Sequence, residues 1–144
     1  MTTEYGISIT RVFDAPRERV WQEWTEPAAF ADWFGGDDCE IPVATMSMDV
    51  RPGGSFRATM LCDGRVIEWT GDYLEVVAPE RLVFTISAEP GATQELVTVL
   101  LRDLGDGRTE MRFEQRGRLS PDEYERTGAG WTAFFDRMSA RLAD

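Results

Sequence analysis

The stretch SPDEYERTGAGWTAFFDRMSARL, residues 120–142, decides the fold. Ser120-Pro121-Asp122-Glu123 opens it as a capping box, in which the Ser side chain accepts from the amide three residues on and Glu123 reaches back. Trp131, Phe134, Phe135, Met138 and Leu142 then recur at helical spacing, which predicts one long amphipathic helix with an unusually bulky apolar stripe. Gly128 and Gly130 lie inside it, each costing about 1 kcal/mol relative to Ala, so a kink or a close approach is expected there. A bulky helix laid across a curved antiparallel sheet closes over a hollow rather than filling it. That arrangement suits a protein that holds an apolar small molecule.

Upstream of this helix, Thr45 to Gln115 reads as short strands and tight turns. Arg51-Pro52-Gly53-Gly54, Asp63-Gly64, Ala78-Pro79-Glu80, Glu89-Pro90-Gly91 and Gly105-Asp106-Gly107 separate the strand-forming runs. Asp63-Gly64 predicts a two-residue turn with positive φ at both positions, pairing Met60 with Ile67 and Ala58 with Trp69 on an apolar face. Thr59 with Glu68 and Arg57 with Thr70 then fall on the wet face. A three-residue turn at Gly105-Asp106-Gly107 pairs Leu101 with Met111, Val99 with Phe113 and Arg102 with Glu110. Leu74, Val76, Leu82 and Phe84 form a further apolar set whose parity disagrees with Trp69, and a bulge at Gly71 is expected to reconcile them.

At the other end, Ile7 to Phe13 alternates as a strand. Asp14-Ala15-Pro16 stops it and opens a helix with Pro in its first turn, on which Val20, Trp21 and Trp24 make the apolar side. Thr25-Glu26-Pro27 starts a second short helix, with Phe30, Trp33 and Phe34 facing inward, before the loop Gly35-Gly36-Asp37-Asp38. The expected fold is α+β: a seven-stranded curved antiparallel sheet, two short helices after the first strand, and a long C-terminal helix over a pocket.

Composition narrows the function. A chain of 144 residues is expected to form one domain, 1–144, with a core large enough to need no staples. All fifteen basic residues are Arg, and the absence of His removes the usual general base and the commonest metal ligand. A net charge of -11 disfavours nucleic acid and anionic membrane surfaces. No apolar run is long enough for membrane insertion. Cys39 and Cys62 have no CxxC spacing and no secretory leader precedes them, so a reducing, cytoplasmic setting is the expectation, with both cysteines structural.

Several clusters in order, Asp14-Ala15-Pro16, Val20-Trp21, Trp33-Phe34, Asp49-Val50-Arg51-Pro52-Gly53-Gly54, Gly71-Asp72-Tyr73, Pro79 through Thr85 and Gly130-Trp131, resemble the START-like SRPBCC superfamily, in its branch of heat-shock-protein-90 ATPase activator homologues. The resemblance covers essentially the whole chain. It implies the helix-grip fold and a deep pocket between the sheet and the last helix, used across the superfamily for lipids, polyketides, hormones and antibiotics. It implies no single reaction, since relatives include aromatase/cyclases, ligand-sequestering proteins and a stimulator of a chaperone ATPase. Relatives often carry a His shortly before the Gly-Trp pair, where this chain has Thr127-Gly128-Ala129, so any role of that His is absent.

The pocket reading places Phe56, Met60, Trp69, Phe84, Val99, Met111, Phe113, Trp131, Phe135 and Met138 around a hydrophobic or aromatic guest. No catalytic residue, cofactor or metal is expected. Asp37, Asp38 and Glu40 lack the spacing of a calcium loop. Glu68 points outward, and Tyr73 and Arg57 are read as surface residues. A cyclase or hydrolase would need an inward carboxylate or Tyr. A co-chaperone would use its surface toward a chaperone or other protein. The chain is expected as a monomer or homodimer, with the edge strand or aromatics near Trp33 as the dimer patch.

Overall fold

Asp63 and Gly64 both adopt positive φ, 48° and 77°, in the computed structural model, which describes residues 5–35, 38–88 and 94–143. The hairpin they close joins β4 (Ser55–Cys62) to β5 (Arg65–Val77) with Met60 opposite Ile67 and Ala58 opposite Trp69, as the turn chemistry requires. The second hairpin, β7 (Glu95–Asp103) to β8 (Thr109–Gly117), pairs Leu101 with Met111, Val99 with Phe113 and Arg102 with Glu110. Gly107 is left-handed at φ 80°, the conformation expected of the last residue of that turn.

The remaining elements are β1 (Tyr5–Phe13), α1 (Arg17–Thr25), α2 (Pro27–Trp33), β2 (Cys39–Glu40), a single 3-10 turn (Val43–Thr45), β3 (Ser47–Met48), β6 (Arg81–Ile86) and α3 (Pro121–Leu142). The strands form one antiparallel sheet in the order β1-β8-β7-β6-β5-β4-β2, with β3 also on β4. The α+β helix-grip architecture is therefore present, with the two-residue β2 as an eighth strand that sequence periodicity is too short to reveal. The turn expected at Glu89-Pro90-Gly91 and the acidic Asp37 lie outside the described residues.

Both legs of the capping box exist: Glu123 N–H donates to Ser120 Oγ at 3.2 Å and Ser120 N–H donates to Glu123 Oε1 at 3.0 Å. Pro16 stands at the N-cap of α1, one place earlier than the first turn. Val20, Trp24, Phe30, Trp33 and Phe34 are all buried. Trp33 is therefore no dimer patch: it has no exposed surface, and its indole N–H donates to Glu23 O at 2.7 Å.

The expected bulge is real but misplaced. Register slips between Tyr73 and Glu75, so Leu74 is the extra residue, and it is exposed rather than part of the inner apolar set. Gly71 does something else: a Cβ there would stand 1.9 Å from Thr85 O and 2.4 Å from Phe56 Cε1. Glycine is needed because β5 passes directly against β6 at this point, where Thr70 and Ser87 make an isolated bridge.

Cys39 and Cys62 face each other across β2 and β4, with Cα atoms 4.4 Å apart, and are joined as a disulfide. The sequence reads both cysteines as structural in a reducing setting, and the disulfide departs from that setting. Their pairing depends on the register of a two-residue strand, which the spacing of 23 residues does not betray.

Candidate ligand-binding site

Of the ten residues expected around a guest, Phe56, Met60, Phe84, Val99, Met111, Phe113, Trp131, Phe135 and Met138 are buried, and Trp69 is half-buried. The strands place them through period-two alternation on the inner face of the sheet, while Trp131, Phe135 and Met138 come from the inward stripe of α3. Nine of them belong to one apolar core, and Trp69 packs against it.

That core is filled ring against ring beneath α3. Phe113 and Trp131 have centroids 4.6 Å apart, Phe113 and Phe135 5.2 Å, and Phe34 and Trp131 5.7 Å. Where a hollow was expected under the helix, side chains from α1 and α2 occupy the space among the described residues. Trp24 is the chief of these. It lies 6.0 to 6.2 Å from Phe84, Phe113, Trp131 and Phe135 and 4.8 Å from Trp33. The periodicity of α1 turns Trp24 inward, but nothing in a nine-residue helix announces that it occupies the middle of the molecule.

Beyond Trp24 the packing changes. Phe56, Tyr73 and Phe84 form a triangle with centroids 5.7 to 6.1 Å apart. With Trp24, Phe30 and Met48 they surround a void of about 10 Å³. Tyr73 is part of this wall and not a surface residue, being 2 % exposed. Burial, with a smaller push from Asp49, raises its pKa well above the usual tyrosine value.

A polar chain seals the end of the core near the start of α3. Trp131 Nε1–H donates to Gln115 Oε1 at 2.7 Å, and Gln115 Nε2 donates to Glu95 Oε1 at 3.1 Å. The same carboxyl accepts the Tyr124 hydroxyl at 2.7 Å and the Arg118 N–H at 3.1 Å. Glu95, Gln115 and Tyr124 are all buried. Burial, then the hydrogen bond to Glu95, pushes the Tyr124 pKa up to about 12. Sequence reading missed this group, although Glu95 shares its strand parity with Val97, Val99 and Leu101, and Gln115 shares that of Met111 and Phe113. A polar residue at an inward position was the available signal.

The other candidates stay apart from the core. Glu68 accepts from Thr59 Oγ1 at 3.0 Å on the exposed face, and Arg57 is exposed. Among the described residues no group of His, Cys, Asp and Glu is arranged to hold a metal ion, and no helix is long and apolar enough to cross a membrane.

The profile of the family described as "Activator of Hsp90 ATPase homolog 1-like protein" matches residues 14–143. A solved protein from Chromobacterium violaceum is 26 % identical, with 96 % of this chain and 98 % of that chain covered and a TM-score of 0.85. An AHSA1 protein from Silicibacter pomeroyi superposes equally well, TM-score 0.85, at 19 % identity over 96 % of this chain and 98 % of that one. A Staphylococcus aureus protein of unknown function gives a TM-score of 0.80 at 23 % identity, covering 98 % and 94 %. No curated protein matches the sequence. These likenesses establish the fold, and the spatial arrangement carries the rest.

Proposed function

From membership of the Activator of Hsp90 ATPase homolog 1-like family, to which this chain belongs, we propose that the protein binds an apolar or aromatic small molecule in the core between the sheet and α3, without covalent cofactor or metal. The observation that carries this reading is the composition of that core. Rings from α1, α2, α3 and five strands meet the thioethers of Met60, Met111 and Met138 in one continuous cluster. Methionine repacks at low cost, so a guest enters by displacing side chains rather than by filling a ready-made space. Affinity then comes from apolar burial at about 25 cal/mol per Å² less the cost of that displacement.

The test is a broad screen of neutral apolar compounds, Nile red included, by thermal shift and Trp fluorescence. Saturable binding that raises Tm and quenches emission is expected. A screen in which no compound shifts either signal sinks the reading.

An enzyme of the cyclase or hydrolase sort is the weaker alternative, because the buried carboxyls near the rings are already engaged, Glu95 by three protein donors and Glu23 by Arg141. A protein-interaction role toward a chaperone is a second reading, supported by the family description and by the exposed Val12, Leu74, Val77 and Leu96. Stimulation of a purified Hsp90-type ATPase would favour it over ligand binding. The proposed cytoplasmic setting is opposed by the Cys39–Cys62 disulfide, since glutathione keeps such pairs reduced there.

A further inference from the structure

Trp24 is 1 % exposed, and its indole N–H has no acceptor among the described residues. A desolvated, unpaired donor is unfavourable, and native interiors seldom keep one without a reason. Trp24 also lines the void of about 10 Å³ that it shares with Phe30, Met48, Phe56, Tyr73 and Phe84. That volume is at the lower limit for a single water. Five of the six walls are aromatic. The sixth, Met48, is half-buried and stands on β3, a two-residue strand paired with β4 through Ser47 with Arg57 and Met48 with Phe56, with Asp49 N–H donating to Ser55 O just beyond it. Its unbranched side chain makes this the wall that yields at least cost.

We propose that this void is a subsite, opened by displacement of the Met48 side chain, for a neutral aromatic molecule bearing a hydrogen-bond acceptor, to which Trp24 Nε1–H donates. The proposal rests on the reading that the core admits an apolar guest, and adds which chemistry that guest carries. A carboxylate or ammonium is disfavoured by the walls, which offer rings, a thioether and the Tyr73 hydroxyl but no opposite charge. A carbonyl oxygen on an aromatic ring satisfies both features: the ring stacks among Phe30, Phe56 and Phe84, and the oxygen supplies what the indole lacks.

The experiment compares acetophenone with ethylbenzene, which match in size and differ in the carbonyl. Binding is followed by thermal shift and by the Trp24 indole resonance in ¹⁵N–¹H spectra of the full chain. Acetophenone is expected to bind about fivefold or more tighter and to move that resonance downfield. The Trp24→Phe variant is expected to erase the preference for acetophenone over ethylbenzene. Equal binding of the two, or a preference that survives Trp24→Phe, overturns the subsite and leaves apolar binding intact. Failure of both while Nile red binds has the same meaning, and failure of all three removes the broader reading too. Should Trp24→Phe not fold, Met48→Ala serves instead: it is expected to tighten both probes severalfold, and unchanged affinities overturn the gate.

Discussion

The two ends of α3 are tied to the body of the protein by different physics. At its start, Tyr124 and Trp131 join Glu95 and Gln115 in a buried chain that contains no cation. Near its end, Arg141, itself half-exposed, grips the buried carboxylate of Glu23 at 2.7 and 3.2 Å and also pairs with the exposed Asp32. The buried end depends on the satisfaction of every donor, the outer end on charge. A carboxyl inside the protein is tolerable here because three N–H and O–H groups replace its water. At the outer end Arg141 and Asp32 keep contact with water, so salt screens part of the attraction, while the guanidinium replaces the water of the buried Glu23 carboxylate.

Replacing Glu95 is the harshest way to break this comparison. Glu95→Ala strands the Tyr124 hydroxyl, the Gln115 amide and the Arg118 N–H, and is expected to cost about 3 kcal/mol of stability in urea unfolding. With no ionic partner for Glu95 among the described residues, the loss should be the same at low and high salt; a loss that shrinks with salt would move this end into the electrostatic class.

A pH titration sharpens the same point. The folded pKa of Tyr124, about 12, lies above the ordinary 10.0, so the fold favours the protonated phenol. Its contribution is whole below pH 10 and is lost as pH rises through 12. The stability advantage of the native chain over Tyr124→Phe should therefore fall across that window. An advantage that stays constant would separate Tyr124 from the buried chain.

The smallest effect is at the outer end. Arg141→Ala is expected to cost about 2 kcal/mol in dilute buffer, less at high salt, because Asp32 keeps access to water while the buried Glu23 carboxylate loses its partner. A salt-independent loss matching that of Glu95→Ala would erase the distinction between the two ends.

Much of this is legible in the sequence alone. The hairpin registers followed from Asp63-Gly64 and Gly105-Asp106-Gly107, because a tight turn sets the pairing of the residues that flank it. The start of α3 followed from Ser120 and Glu123, whose bonds span three residues. The ten expected lining residues were recognisable as inward-facing for the same local reason. What escaped were relations between distant segments. The Tyr73–Glu75 irregularity arises where β5 meets β6, the disulfide arises from β2 lying on β4, and Trp24 becomes central only when α1 is laid between the sheet and α3.

Alternation and helical period thus sufficed for the order of elements, the pairing of the hairpins and the side each residue turns inward, since those are properties of neighbours in the chain. Whether the room between sheet and helix stays open was settled elsewhere, by the volumes of Trp24, Trp33 and Phe34 arriving from two other helices. Free volume is what remains after every element has contributed its side chains, so no single stretch encodes it. For the same reason the gap beside Trp24, whose indole has no acceptor among the described residues, is visible only in three dimensions.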